Sequence, residues 1–174
     1  MNDSATADAV RTDAGRFAAR QLVAVGIGSG LLGSLALAVP IALKVFPGNV
    51  IAASVSVTGT TVQLQVRNLT RKTRFSKSLR AAALDVSSAE WVAEAPSACD
   101  QRGRCTVLPL TDFGTVPFAN ASATANGHTG SIVDDGWTAT PLELVPNARR
   151  FVTATAPSAL SADGTVFSVT FRTG

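Results

Sequence analysis

The pattern of apolar and polar positions changes character once along this chain. Met1 to Arg20 is polar and built of small residues, whereas Gln21 to Leu43 carries no charge. The uninterrupted part from Leu22 to Leu43 is 22 residues long and is closed by Lys44. A membrane-spanning helix needs about 20 apolar residues, so the run predicts one amino-terminal hydrophobic helix over 21–43, preceded by a cytoplasmic tail over 1–20. Arg11, Arg16 and Arg20 lie before the run and orient the remainder outward. Leu22 to Leu35 also suits the apolar core of a signal peptide, with Ala36-Leu37-Ala38 as a small-x-small cleavage site. Both readings export the rest of the chain. That part is expected to be extracytoplasmic, held at the membrane through 21–43 or released by cleavage after Ala38.

From Pro47 onward the period becomes two. Val50 to Val57 runs to Thr58-Gly59-Thr60, and Val62, Leu64 and Val66 then alternate with Gln63, Gln65 and Arg67. This is a hairpin with one apolar and one polar face. Further short strands are expected at 75–79, 89–94, 105–108, 114–118, 131–133, 142–145, 150–154 and 166–171, with Gly or Pro in nearly every gap. Many short strands at this spacing predict an all-β domain over 45–174, an antiparallel sandwich.

Composition narrows the classes. Hydrophobic residues make up 46% and charged residues 16%, which excludes a disordered chain and a long coiled coil. Two cysteines cannot make a four-thiolate zinc site, and a single histidine with no tyrosine leaves few catalytic side chains. No metal or cofactor is expected. The net charge of +3 is mild, and the three Arg and three Asp of the first 20 residues cancel. Basic residues crowd one place, at Arg67, Arg71, Lys72, Arg74, Lys77 and Arg80. Charge that keeps an edge strand from aggregating accounts for them better than a nucleic-acid patch, which would need stacking aromatics. No nucleic-acid partner is expected.

Two glycine motifs in the apolar run carry little. Gly28-Ser29-Gly30-Leu31-Leu32-Gly33 fits G-x-G-x-x-G, but the first acidic residue after it is Asp85, too distant for the ribose contact. Gly26 and Gly30 form a GxxxG pair of the kind that brings membrane helices together. Cys99 and Cys105 bracket the polar turn Asp100 to Arg104, and an oxidising compartment favours a disulfide closing it over free thiols or half a metal site.

The stretch Ser88-Ala89-Glu90-Trp91-Val92-Ala93-Glu94 carries the strongest chemistry. Strand alternation sets Glu90 and Glu94 on one face and Trp91 on the other, the two carboxylates about 13 Å apart at a rise of about 3.3 Å per residue. That exceeds the separation of a shared-proton dyad or of a glycosidase pair. One of them can be catalytic without the other as its direct partner, and two solvated charges remain the plain alternative. The other polar features are weaker. His128, in Asn126-Gly127-His128, reads as a surface-loop residue. Asp134-Asp135-Gly136 reads as a turn and is a thin calcium signal. Asn68-Leu69-Thr70 and Asn120-Ala121-Ser122 are glycosylation sequons.

Taken together, these segments resemble the eqolisin-type glutamic peptidases (peptidase family A4). The similar stretch runs from Val45 to Val145. It includes Phe46-Pro47-Gly48-Asn49-Val50-Ile51, Val66-Arg67-Asn68-Leu69-Thr70, Phe75-Ser76-Lys77-Ser78 and the Glu90–Glu94 strand. It continues through Leu108-Pro109-Leu110-Thr111-Asp112-Phe113-Gly114 and Phe118-Ala119-Asn120-Ala121. The resemblance implies a concanavalin-like two-sheet sandwich, here partial, and a mechanism in which one Glu activates water while one Gln donates to the developing oxyanion. The family's base falls on Glu94, with Glu90 and Trp91 supporting or structural. The resemblance covers the carboxyl-terminal half of such a domain. The Gln-bearing half, with its tryptophan-glycine-aspartate-glycine segment, has no counterpart before Val45, and Gln63 and Gln65 fall after the position where the Gln belongs. The expectation is an exported glutamic-endopeptidase-like domain with an incomplete dyad and weak or absent hydrolysis of peptide or protein substrates. A competent acid endopeptidase completed by self-association or a partner chain is the alternative, and a non-enzymatic envelope binding module is the reading from another class.

Overall fold

The computed structural model describes residues 2–11, 23–27, 42–80, 86–93, 97–100, 102, 104–107, 110, 112–143 and 153–173. All of its regular structure is strand, and every pairing is antiparallel. The strands are β1 Asn2–Arg11, β2 Val23–Ile27, β3 Val50–Thr58, β4 Thr61–Asn68, β5 Thr73–Arg80, β6 Ala89–Ala93, β7 Ser97–Cys99, β8 Cys105–Val107, β9 Thr115–Phe118, β10 Ala121–Ala125, β11 His128–Ser131, β12 Thr153–Pro157 and β13 Phe167–Thr173.

Nine of them make one sheet in the order β12-β13-β9-β1-β3-β4-β5, with β10 paired to β1 and β11. The expected hairpin is present: β3 and β4 run in register from Ile51 opposite Asn68 to Thr58 opposite Thr61. A second hairpin closes on Asn126-Gly127, both at positive φ (53° and 79°), with Ala125 opposite His128. Asn-Gly in a two-residue loop supplies the positive φ pair that a hairpin turn of the right twist demands.

Strand alternation gives the sheet one apolar face. Val55, Ala53, Val62 and Leu64 form one cluster on it. Phe113, Val116, Phe118 and Val169 form another, with Phe167 and Phe171 packed beside them. The Phe118 and Phe167 rings stack at 4.7 Å, and Phe113 meets Phe171 edge-on at 5.8 Å. The two-stranded ribbon β2–β6 is the second layer: Trp91 of β6 packs against both clusters, as the alternation of 89–94 predicts.

The amino-terminal part differs from expectation where it is described. The stretch expected as a polar tail contains β1, a central strand that pairs β3 on one side and β9 and β10 on the other. Held by ladders on both sides, its small residues Ser4 to Ala7 need no apolar alternation to stay extended. Within the stretch expected as a helix, Val23–Ile27 is a strand held by the β6 ladder. Most of 21–43 lies outside the described residues, and among the described residues no helix is long and apolar enough to cross a membrane. Strand positions shift late in the chain as well. The strand expected at 131–133 is β11, three residues earlier, and that expected at 150–154 is β12. Residues 142–143 are in no ladder, and 144–150 lie outside the described residues.

One sequon is corrected. Asn68 is 1% exposed, and its amide nitrogen donates to Asn49 Oδ1 at 2.7 Å and to the Lys44 carbonyl at 3.2 Å. A nitrogen so buried and so engaged is closed to glycosylation. Asn120, by contrast, is exposed.

Candidate active site

β6 carries two of the residues singled out in the sequence. Its inward face sends Trp91 and Ala93 into the core. Glu90 is half-buried, and the Ser88 hydroxyl donates to its Oε1 at 3.4 Å. Glu94 follows the last residue of the strand and lies outside the described residues. The Trp91 indole Nε1 is buried without a hydrogen-bond partner, an arrangement that costs about 1–3 kcal/mol. The large ring is therefore retained for its packing across both clusters.

A cleft of about 1150 Å³ runs along this strand. Residues 86–93 form one wall, and the end of β10 with the 132–143 segment forms another. Thr155, Leu160 and Phe167 contribute to a third. Glu90 and Glu143 bring carboxylates to it, Asn126 an amide, and Trp91 and Trp137 two indoles. Trp137 is fixed at the rim: its Nε1 donates to the Ser131 carbonyl at 2.9 Å, and its ring lies 5.5 Å from that of His128. Sequence reasoning gave Asn126, Trp137 and Glu143 no role. Only the rarity of Trp in this chain marked position 137, and no local pattern distinguishes the other two.

Neither described glutamine lines this cleft. Gln63 lies on the polar face of β4, opposite to the face that Val62 and Leu64 turn toward Trp91, and its amide is tied to the Ser76 and Ser78 hydroxyls. Gln65 sits on the same face, one pleat along. Gln21 and Gln101 lie outside the described residues.

His128 is exposed, as expected, but it is engaged: its Nε2 meets Asp134 Oδ1 at 2.8 Å. The same oxygen accepts the Gly136 N–H. That N–H, with the His128 contact second, holds the Asp134 carboxyl below its ordinary range. Among the described residues no group of three or more His, Cys, Asp or Glu is disposed to hold a metal ion.

The β7–β8 hairpin sets Cys99 opposite Cys105. The Asp100 N–H donates to the Arg104 carbonyl at 2.9 Å, so the cysteine pair occupies a non-hydrogen-bonded position, where Cα atoms approach to about 4.5 Å. Disulfides span Cα separations of about 4.4–6.8 Å. Asp100 also accepts the Arg102 and Arg104 N–H groups and pairs with the Arg104 guanidinium at 2.9 Å, which pins the turn.

A strand carrying a glutamate and a half-buried tryptophan, in an all-antiparallel fold beside a cleft, is the setting of the family-level match. The Peptidase A4 family model covers residues 36–166. The chain belongs to this family. No curated protein matches it by sequence. Among solved structures, it is similar to SCP-B, an eqolisin peptidase in complex with the tripeptide Ala-Ile-His (20% identity, TM-score 0.70, 98% of this chain and 92% of that one). It is similar to scytalido-glutamic peptidase bound to a peptide-based transition-state analogue (20%, 0.71, 98% and 93%). It is similar also to aspergilloglutamic peptidase from Aspergillus niger (24%, 0.56, 75% and 71%). At these identities the structural likeness establishes the fold, and peptidase A4 membership rests on the family match. The sandwich predicted from strand spacing is the architecture these peptidases share with the chain.

Proposed function

We propose that this member of the A4 family binds peptide or protein substrates in the cleft along β6, with Glu94 as its general base, and hydrolyses them weakly or not at all. The observation that carries the reading is that cleft, with the family's glutamate strand as one wall and no glutamine among its described lining residues. A carboxylate can take a proton from water at this position. Without a glutamine in the family's position the developing oxyanion lacks the donor that the family uses there, and losing one such donor costs about 10²–10³ in rate. Glu90 and Trp91 act as support, the first by polarity at the wall and the second by packing. In the same reading the domain is exported and carries the Cys99–Cys105 disulfide; because β1 and β2 pair with strands of the domain itself, 21–43 does not serve as a spanning anchor.

Incubation of the full chain with an unstructured protein substrate at acidic pH tests this. The expected result is substrate binding with turnover at least two orders of magnitude below a complete dyad, in line with the donor argument. Robust cleavage, abolished by Glu94→Gln and kept by Glu90→Gln, would overturn the claim of an incomplete dyad. Absence of any peptide binding would overturn the cleft assignment.

A further inference from the structure

The cations noted in the sequence divide into two groups once the fold is known. Lys77 lies opposite Leu64, between Phe75 and Leu79 on the inner face of β5. Among the described residues β5 ends the sheet order, and an inward-facing lysine on an end strand is a device against edge-to-edge pairing. Arg67, Arg71, Lys72 and Arg74 are not explained that way. They gather at the β4–β5 turn: Arg67 lies directly opposite Arg74, an arrangement of like charges that costs stability. Lys72 adopts a left-handed φ of 56°, uncommon for a long side chain. All four are exposed, and among the described residues no carboxylate pairs with any of them.

The apolar surface at the same tip is also unusual. Phe46 is 48% and Leu69 40% exposed. The Arg71 guanidinium lies 4.9 Å over the Phe46 ring, with exposed Lys44 two residues before that ring in the chain. The tip is rigidly built. Asn68 ties the Lys44 carbonyl to the Arg71 N–H, Asn49 Oδ1 accepts the Phe46 N–H at 3.1 Å, and the Val50 N–H donates to Thr70 Oγ1 at 2.9 Å. The segment so clamped continues directly from the uncharged run that ends at Leu43.

We infer that this tip is a docking surface for an anionic lipid bilayer, with Phe46 and Leu69 entering the interface and Lys44, Arg67, Arg71, Lys72 and Arg74 meeting the headgroups. The combination of exposed apolar anchors with a ring of cations is the two-part signal of interfacial binding. Long basic side chains can keep their charge at headgroup level while their stems cover apolar surface. A nucleic acid would use the cations but has no use for Leu69, and stacking on Phe46 is already taken by Arg71. The surface lies apart from the β6 cleft and does not depend on how that cleft functions.

Co-sedimentation of the full chain with phosphatidylcholine vesicles, and with the same vesicles doped with phosphatidylglycerol, tests the inference. Apolar partition that does not depend on headgroup charge would act on both vesicle types alike, so the difference between them isolates the tip. The expected result is stronger partition to the charged vesicles, falling as salt rises from about 0.1 M to 1 M. Each of Arg71→Gln and Lys72→Gln should lower that partition about fivefold. Phe46→Ser with Leu69→Ser should lower it further, and Arg80→Gln, at the far end of β5, should leave it nearly unchanged. Circular dichroism checks that each variant folds. Equal partition to both vesicle types, or an equal loss from Arg80→Gln, would overturn the inference. Tight binding of a single-stranded oligonucleotide by a chain that ignores charged vesicles would assign the cations to nucleic acid and overturn it as well.

Discussion

Asn68 shows how much one buried amide can organise. Its side chain satisfies the Lys44 carbonyl, Asn49 Oδ1 and the Arg71 N–H at once. Asn68→Ala leaves these groups short of partners at a nearly inaccessible site, which should cost about 2–3 kcal/mol, measured as a lower urea midpoint at unchanged slope. Phe118, 1% exposed and stacked on Phe167, is a packing case instead. Phe118→Ala should cost about 3–5 kcal/mol through lost burial and the cavity left behind. The two positions differ in how visible they are in sequence. Phe118 belongs to an apolar alternation and could be placed in the core beforehand. Asn68 sits in a tripeptide that reads as a glycosylation sequon, because the pattern says nothing of the carbonyl 24 residues away that buries it. Candidate-site residues divide in the same way. Glu90 and Trp91 were legible from their strand, whereas Asn126 and Glu143 reach the cleft through turns whose path no local period encodes.

At the scale of elements, strands with large side chains were legible and strands of small ones were not. The β3–β4 hairpin, β5, β6, β9 and β13 carry Val, Leu, Phe or Trp on alternate positions. β10 is a run of Ala, Ser and Thr, and β1 is built of small and charged residues with Val10 as its one large apolar side chain, so neither has an alternation of any amplitude and their strand state is imposed by ladders on both sides. Turns are the other place where elements are decided. Gly164 has φ +68°, and a Cβ there would lie 2.9 Å from the Val133 backbone nitrogen and collide with the Val133 side chain. Gly164→Ala should lower the melting temperature by several degrees, since positive-φ strain alone costs about 1–3 kcal/mol. Acid should loosen the turns as well. Asp134 is held below its ordinary value chiefly by the Gly136 N–H, Asp100 by the Arg104 N–H and Asp163 by the Ser161 hydroxyl. A depressed carboxyl pKa adds stability that is present above the unfolded value, about 3.9, and is lost as pH falls through the folded value. Thermal stability should therefore hold steady down to about pH 4 and fall below it, and Asp134→Asn should shrink that fall when melting is followed against pH.

The whole molecule is held together by an amino-terminal strand. β1 is the seam of the nine-stranded sheet: on one side it carries the β3–β4–β5 hairpins, and on the other β9, β10 and, through β9, β13 and β12. The ladder with β3 runs from Asn2 opposite Thr58 to Arg11 opposite Val50, with one irregularity between Ala7 and Val10. β9 and β10 meet the opposite edge, at Val10 and at Ser4 to Ala7. Processing after Ala38 would remove β1 and also β2, the ribbon partner of β6. The remaining chain would leave β3, β9 and β10 with unpaired edges where a continuous sheet had been, and β6 without its ribbon partner, the configuration that invites association between copies. A chain spanning 39–174 is therefore expected to elute from size exclusion as oligomer or aggregate and to lose amide protection in β3, β9 and β10, where the full chain stays protected. A monomeric 39–174 with protection unchanged would mean that contacts among the remaining strands, and not the seam, hold the sheet together.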